Sequence, residues 1–171
     1  MQVASANIQT TCRMQVIDKN KFMKKSNRRS DCPISCSLDI WGDKWSLLIV
    51  RDLMFAKECT YGDFLKATEG IATNILASRL QLLEENKLIE KLDHPDSKAK
   101  VLYKLTSKGI DLLPIMIEIN IWAGKYFLNL PDDRKAMLKE VKKNKAGFIK
   151  KAIKDLKGGK SQEKAILKGQ S

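Results

Sequence analysis

The segment from Gly70 to Ile89 constrains the fold more than any other part of the chain. Ala72, Leu76, Leu80 and Leu83 recur at the spacing of a single helix face, and Leu88-Ile89 then starts a strand after a short turn. The opposite side carries Asn74, Ser78, Arg79 and Gln81, which are short or amide-bearing polar groups with one arginine. Such a surface suits close approach to base edges and phosphates.

The flanks complete a motif. Thr60-Tyr61-Gly62-Asp63 has the form of a capping box and opens a short helix to about Ala67, with Phe64 pointing inward. Gly70 ends that unit and the next helix begins near Thr73, so two helices meet across a glycine-marked turn. Leu88–Asp93 and Lys100–Leu105 read as strands, the second placing Val101, Tyr103 and Leu105 on one face. The turn formers between them, His94 to Ala99, make the tip of a wing. Upstream, Ser37–Trp41 is a short helical piece ended by Gly42. Asp43 caps a helix Lys44–Phe55 whose buried stripe is Trp45, Leu48, Ile49 and Leu53. Downstream, Thr106 caps a long apolar helix from Ser107 to about Phe127, with Pro114 as a kink point. Ile115, Ile119, Trp122 and Phe127 exceed what a small domain covers alone, which predicts a dimer interface. The expected fold is mainly α with a small β-hairpin wing, a winged helix-turn-helix with a long C-terminal dimerisation helix. Pro131-Asp132-Asp133 opens one further helix to residue 157, whose stripe of Met137, Leu138, Val141, Phe148, Ile149, Ile153 and Leu156 predicts docking.

The net charge of +12 is unevenly placed. Residues 1–31 hold 7 basic and 2 acidic groups, residues 131–171 hold 13 and 5, and the middle 32–130 holds 12 and 13. The excess therefore sits at the ends, where it raises affinity for any polyanion without selecting a sequence. The expected organisation is a flexible basic arm 1–31, the winged domain 32–127, an additional helix within 128–157 and a disordered basic tail 158–171. Met23 is an alternative start. With no long apolar run and no basic-then-apolar leader, a cytoplasmic protein without a membrane partner is expected. Cys12, Cys32, Cys36 and Cys59 form one C-x3-C and no second close pair, with the only histidine, His94, remote. Neither a metal site nor structural disulfides are predicted. The sequence shows no nucleophile–base set and no phosphate loop, so no enzyme activity and no cofactor are expected.

Several runs then carry a family likeness: Cys32-Pro33-Ile34, Leu38-Asp39-Ile40-Trp41-Gly42-Asp43-Lys44-Trp45, Tyr61-Gly62-Asp63-Phe64-Leu65 and Gly70-Ile71-Ala72-Thr73-Asn74-Ile75-Leu76. With Arg79-Leu80, Leu83-Glu84, Tyr103-Lys104-Leu105-Thr106 and Gly109, they resemble the HxlR-type winged-helix regulators of bacteria over roughly residues 32–127. The resemblance implies a homodimer, joined through its N-terminal and long C-terminal helices, that binds a double-stranded DNA operator near its own or a neighbouring gene. It also implies a cysteine that some relatives use, at the cysteine-proline position, as a sensor of small electrophiles or oxidants.

Thr73, Asn74, Ser78 and Arg79 are the expected DNA-facing residues, with Lys98 and Lys100 in the wing and Lys44 as further phosphate contacts. Thr73 fits a simple N-cap equally well, and Arg79 fits a phosphate, a guanine edge or an internal acid that fixes the helix. Cys32 fits either a reactive thiol, helped by Arg28 and Arg29 with Cys36 as resolving partner, or a small hydrophobe buried at the dimer interface. The competing functional reading is a basic protein that binds nucleic acid non-specifically and uses its winged helix for protein contact.

Overall fold

The computed structural model describes residues 30–127 and 130–158. The expectations for the arm before residue 30 and the tail after 158 lie outside the described residues. The described residues open with α1 (Pro33–Trp41) and α2 (Lys44–Ala56), followed by β1 (Glu58–Thr60) and α3 (Tyr61–Leu65). Then come α4 (Thr73–Glu85), β2 (Ile89–Asp93), β3 (Val101–Leu105), α5 (Ser107–Ile110), α6 (Leu113–Tyr126), α7 (Asp132–Lys143) and α8 (Lys145–Lys157).

Local chemistry explains where these elements begin. The Asp43 carboxylate accepts from the Trp45 and Ser46 amides at 3.0 and 3.1 Å and starts α2. Thr60 and Asp63 form the expected capping box of α3, each side chain taking the other's backbone amide. Between α3 and α4, Gly70 adopts φ +66°, a left-handed conformation in which any other residue is strained. Thr106 caps α5 by accepting from the Gly109 amide, while its hydroxyl donates to the Lys87 carbonyl at 2.6 Å.

The core forms where α2, α3 and α4 pack on the sheet. Val50, Leu53, Leu76 and Leu83 are fully enclosed, and Phe64 meets Tyr103 edge-on at 6.1 Å between ring centres. Each such aliphatic or aromatic side chain contributes about 1.5–3 kcal/mol on burial, so this cluster dominates the stability of the winged unit.

Five features depart from expectation. The first helix starts at Pro33 rather than Ser37, because proline is tolerated in the first turn, where its missing amide has no partner to lose. The buried face of α2 is Ser46, Ile49, Val50 and Leu53, with Trp45 and Leu48 only half-buried. Ser46 can turn inward because its hydroxyl donates to Asp43 at 2.5 Å, so no polar atom is stranded. The wing is part of a three-stranded antiparallel sheet of order β1-β3-β2, because β1 pairs with the side of β3 that β2 leaves free, Cys59 opposite Tyr103. The apolar run after Thr106 is broken at Asp111 and Leu112 into α5 and α6. Pro114 lacks the amide that would continue the ladder and sits in the first turn of α6 instead. The helix expected over 131–157 is likewise two helices, since Asn144 leaves helical geometry and its side chain accepts from the Gly147 amide at 2.9 Å, capping α8.

α7 and α8 fold back on α6. Val141 is fully buried with Leu113 and Ile117, against Met137, Phe148, Ile149 and Leu156. The docking expected of the apolar stripe is present, although as a hairpin rather than one rod.

Candidate nucleic-acid interface

Helix α4 turns Leu76, Leu80 and Leu83 into the core. Thr73, Asn74, Ala77, Ser78 and Gln81 are left exposed along the opposite side. Thr73 is not a cap: the N-cap position falls on Ala72, which has no side chain able to accept an amide, and Thr73 is the first helical residue. Its carbonyl instead accepts the Tyr61 hydroxyl at 2.7 Å, which ties α3 to the start of α4. Asn74 is exposed and its Oδ1 accepts the Ile75 amide at 2.9 Å, which leaves the side-chain NH₂ as the donor it offers a ligand.

Arg79 faces the N-terminus of α2. Its Nε lies 3.0 Å from Asp43 Oδ1, and the side chain remains one-third exposed. The buried Nε–H is not aligned as a hydrogen bond, so the contact is an ion pair only. Burial raises the Asp43 carboxyl, but the Ser46 hydroxyl and amide together with the Arg79 cation outweigh it and hold Asp43 below the usual carboxylate range. Of the three partners considered for Arg79, the internal acid is thus present in the protomer. By sequence Asp43 is a cap alone; its second role spans two helices and leaves no local signal.

Two further ties hold the helix-turn-helix together. Arg51 of α2 forms a two-pronged pair with Glu69 and bonds Asp52 at 2.8 Å, anchoring the turn before α4. Hydrogen bonding from Arg51 is the main reason the Glu69 carboxyl lies below its ordinary range. Lys91 of β2 pairs with Glu84 at 2.6 Å, joining the acidic C-terminal half of α4 to the sheet. A groove of about 280 Å³ lies along this seam, lined by Tyr61, Ala77, Gln81, Glu84, Lys91 and Tyr103. Gln81 belongs with the exposed polar face, although it donates to Glu85 at 2.8 Å.

The expected lysines lie on other elements, α2 and the wing loop. Lys44 is exposed at the start of α2 with its ammonium 4.7 Å from the centre of the Trp45 ring. Lys98 and Lys100 are exposed on the wing, whose loop is shaped by turns from Ser97 to His94 and from Lys100 to Ser97. Cys32 is exposed at the N-cap of α1, and Cys36, one turn on, donates its thiol to the Ser30 carbonyl at 3.2 Å. Helical spacing of about 5–6 Å between such Cβ atoms exceeds the disulfide range, so pairing them requires the first turn to unwind. Cys59 is buried, and burial with the charges of Asp52 and Asp63 pushes its thiol up to about 12. Among the described residues no His, Cys, Asp or Glu group is arranged to hold a metal, and no helix is long and apolar enough to cross a membrane.

Residues 40–130 match the family described as HxlR-like helix-turn-helix. The chain belongs to that family. This HxlR-like protein is accordingly a DNA-binding transcription regulator, in keeping with a polar α4 surface on a winged scaffold. The uncharacterized HTH-type transcriptional regulator sll1512 of Synechocystis sp. is 34% identical over 89 residues, 52% of this chain. The match spans 65% of that relative's length. The crystal structure of PA1607, a candidate transcription factor, superposes with a TM-score of 0.54 at 38% identity, over 61% of this chain and 71% of that one. The redox regulator HypR in its oxidized form superposes with a TM-score of 0.50 at 25% identity, over 58% of this chain and 99% of HypR.

Proposed function

We propose that this HxlR-like regulator is a homodimer whose α4 helices read a duplex operator, with the wing lysines on adjacent phosphates. The exposed row of Thr73, Asn74, Ser78 and Gln81 carries this reading, because it presents donors and acceptors at the N-terminal half of a helix whose other face is locked in the core. That end also has the positive pole of the helix, which favours an approaching phosphate. Arg79 contributes through the ion pair with Asp43, which sets the roll of α4, and presents the exposed part of its guanidinium to the backbone. Lys98, Lys100 and Lys44 supply sequence-independent charge.

Dimerisation is supported by an apolar surface with no cover in the protomer. Ile115, Ile119, Trp122 and Tyr126 of α6 are 39–60% exposed on one stripe, and Ile34 and Leu38 of α1 are 70% and 48% exposed. Cys32 sits at the head of α1, the helix that carries Ile34 and Leu38, as an accessible thiol for a small electrophile or oxidant, and the likeness to a redox regulator supports such a response.

Fluorescence anisotropy at about 150 mM salt tests the reading, with duplexes tiled across the upstream region of the gene and a scrambled control. A preference of about a thousandfold for one upstream duplex is expected, and Asn74→Ala or Ser78→Ala lowers that preference by about 1–3 kcal/mol per lost base contact. Equal affinity for every duplex, unchanged in the variants, refutes it.

A further inference from the structure

The α7–α8 hairpin lies beyond the 40–130 family match, apart from the start of the connection, and its two faces differ in kind. The inner face is apolar and covers the Leu113 and Ile117 side of α6. The outer face is rich in lysine: Lys142 and Lys143 end α7, and Lys150, Lys151, Lys154 and Lys157 run along α8, all six exposed. The ion pairs of the hairpin involve other residues, Arg134, Lys135 and Lys145, and none of the six has an acidic partner among the described residues.

Lys150 and Lys154 stand one turn apart, as do Lys151 and Lys154, and Lys154 and Lys157. Like charges at these spacings destabilise a helix. A helix whose sole task was to cover α6 gains from mixed signs on its solvent side. Here acidic groups are sparse, Glu140 of α7 and Asp155 of α8 against the six lysines, and the excess positive charge is relieved by a polyanion. The outer face also lacks aromatic side chains, since Phe148 packs inward. It therefore has neither the anchors of a protein-binding hot spot nor the stacking platform of a single-strand binder. Lysine ammoniums alone suit phosphates spaced along a duplex.

Placement separates this face from α4's reading edge. α8 packs on α5 and α6. α5 is capped by Thr106, whose hydroxyl donates to the Lys87 carbonyl just past the C-terminal end of α4. The exposed N-terminal half of α4 and the wing loop lie at the other end of the helix and of the hairpin strands.

We propose that the lysine face of α7 and α8 is a second DNA surface, which grips the backbone of a duplex stretch other than the operator without regard to sequence. It rests on the operator reading only in being second to it. The full chain and a Lys150→Gln/Lys151→Gln/Lys154→Gln/Lys157→Gln variant are titrated with the scrambled duplex over a salt series. Glutamine keeps helix propensity, and the basic segments 1–29 and 159–171 are unaltered, so a change belongs to the hairpin. With far-UV circular dichroism preserved, the slope of log K against log salt is expected to fall by about three to four in the variant. An unchanged slope overturns the proposal. So does tighter binding of polyglutamate or single-stranded RNA than of duplex by the same lysines, which assigns the face to another partner. Loss of upstream preference in Asn74→Ala with an intact scrambled-duplex slope separates the two surfaces. If the wild type shows no upstream preference while the lysine variant loses slope, the operator reading fails and the second surface stands.

Discussion

The carboxylate of Asp43 accepts from two α2 amides and the Ser46 hydroxyl while its Oδ1 faces Arg79 across 3.0 Å. These roles separate in Asp43→Asn, because asparagine caps a helix about as well as aspartate but carries no charge for Arg79. Loss of stability at neutral pH is expected to be about 0.5–1 kcal/mol, the scale of a partly solvated pair. The sign with pH follows from the depressed carboxyl of Asp43. Its contribution is complete above the ordinary aspartate range, near 3.9, and is lost as pH falls through the lower folded value. Urea denaturation of both proteins at neutral pH and at about pH 2–3 is then expected to show a gap that closes in acid. A gap that is constant with pH assigns the loss to capping instead.

Elements meet at two glycines that ask different things of the backbone. Gly70 sits at φ +66° with open space around its missing side chain. Gly109 in α5 has ordinary geometry, yet a Cβ there would collide with the Leu88 carbonyl oxygen as α5 crosses the start of β2. Gly70→Ala therefore costs about 1–2 kcal/mol of left-handed strain. Gly109→Ala forces backbone apart, at about 1–3 kcal/mol or more, and disturbs the seat of α5 under the hairpin. Denaturation midpoints are expected to rank Gly109→Ala below Gly70→Ala, and the reverse order shows that α5 can shift freely. Capping was legible for α2, α3 and α5, because each cap is a matter of residues within one turn. The split at Asn144 was not, because the apolar stripe continues in phase through it and only the bond to Gly147 reveals a new start. Strand β1 was equally hidden: three residues carry little pattern, and Cys59 is a strand residue by virtue of Tyr103 beside it.

At the scale of the whole molecule, α6 divides its surroundings. One side is covered by α7 and α8, and the stripe through Ile115, Ile119, Trp122 and Tyr126 stays open. Trp122, 60% exposed, touches Tyr126 and Phe127 in an aromatic cluster of a kind that seldom faces water alone. Sedimentation of the wild type is expected to give a dimer, and Trp122→Glu a monomer with unaltered circular dichroism. A monomeric wild type, or a Trp122→Glu dimer, places the partner surface elsewhere. Dimerisation duplicates the lysine face as well, so salt dependence and oligomeric state are coupled.

The winged helix-turn-helix is written in local spacing, since its helices, caps, glycine turn and alternating strand are each encoded within a few neighbouring residues. That spacing likewise singles out the polar side of α4, because periodicity that buries Leu76, Leu80 and Leu83 must expose Asn74, Ser78 and Gln81. Only the tertiary structure decided that Arg79 meets Asp43, that β1 edges the sheet, and that the C-terminal apolar stripe folds into a hairpin against α6. Those contacts join residues tens of positions apart, and their energies depend on how packed elements are brought side by side, a quantity that no local spacing contains.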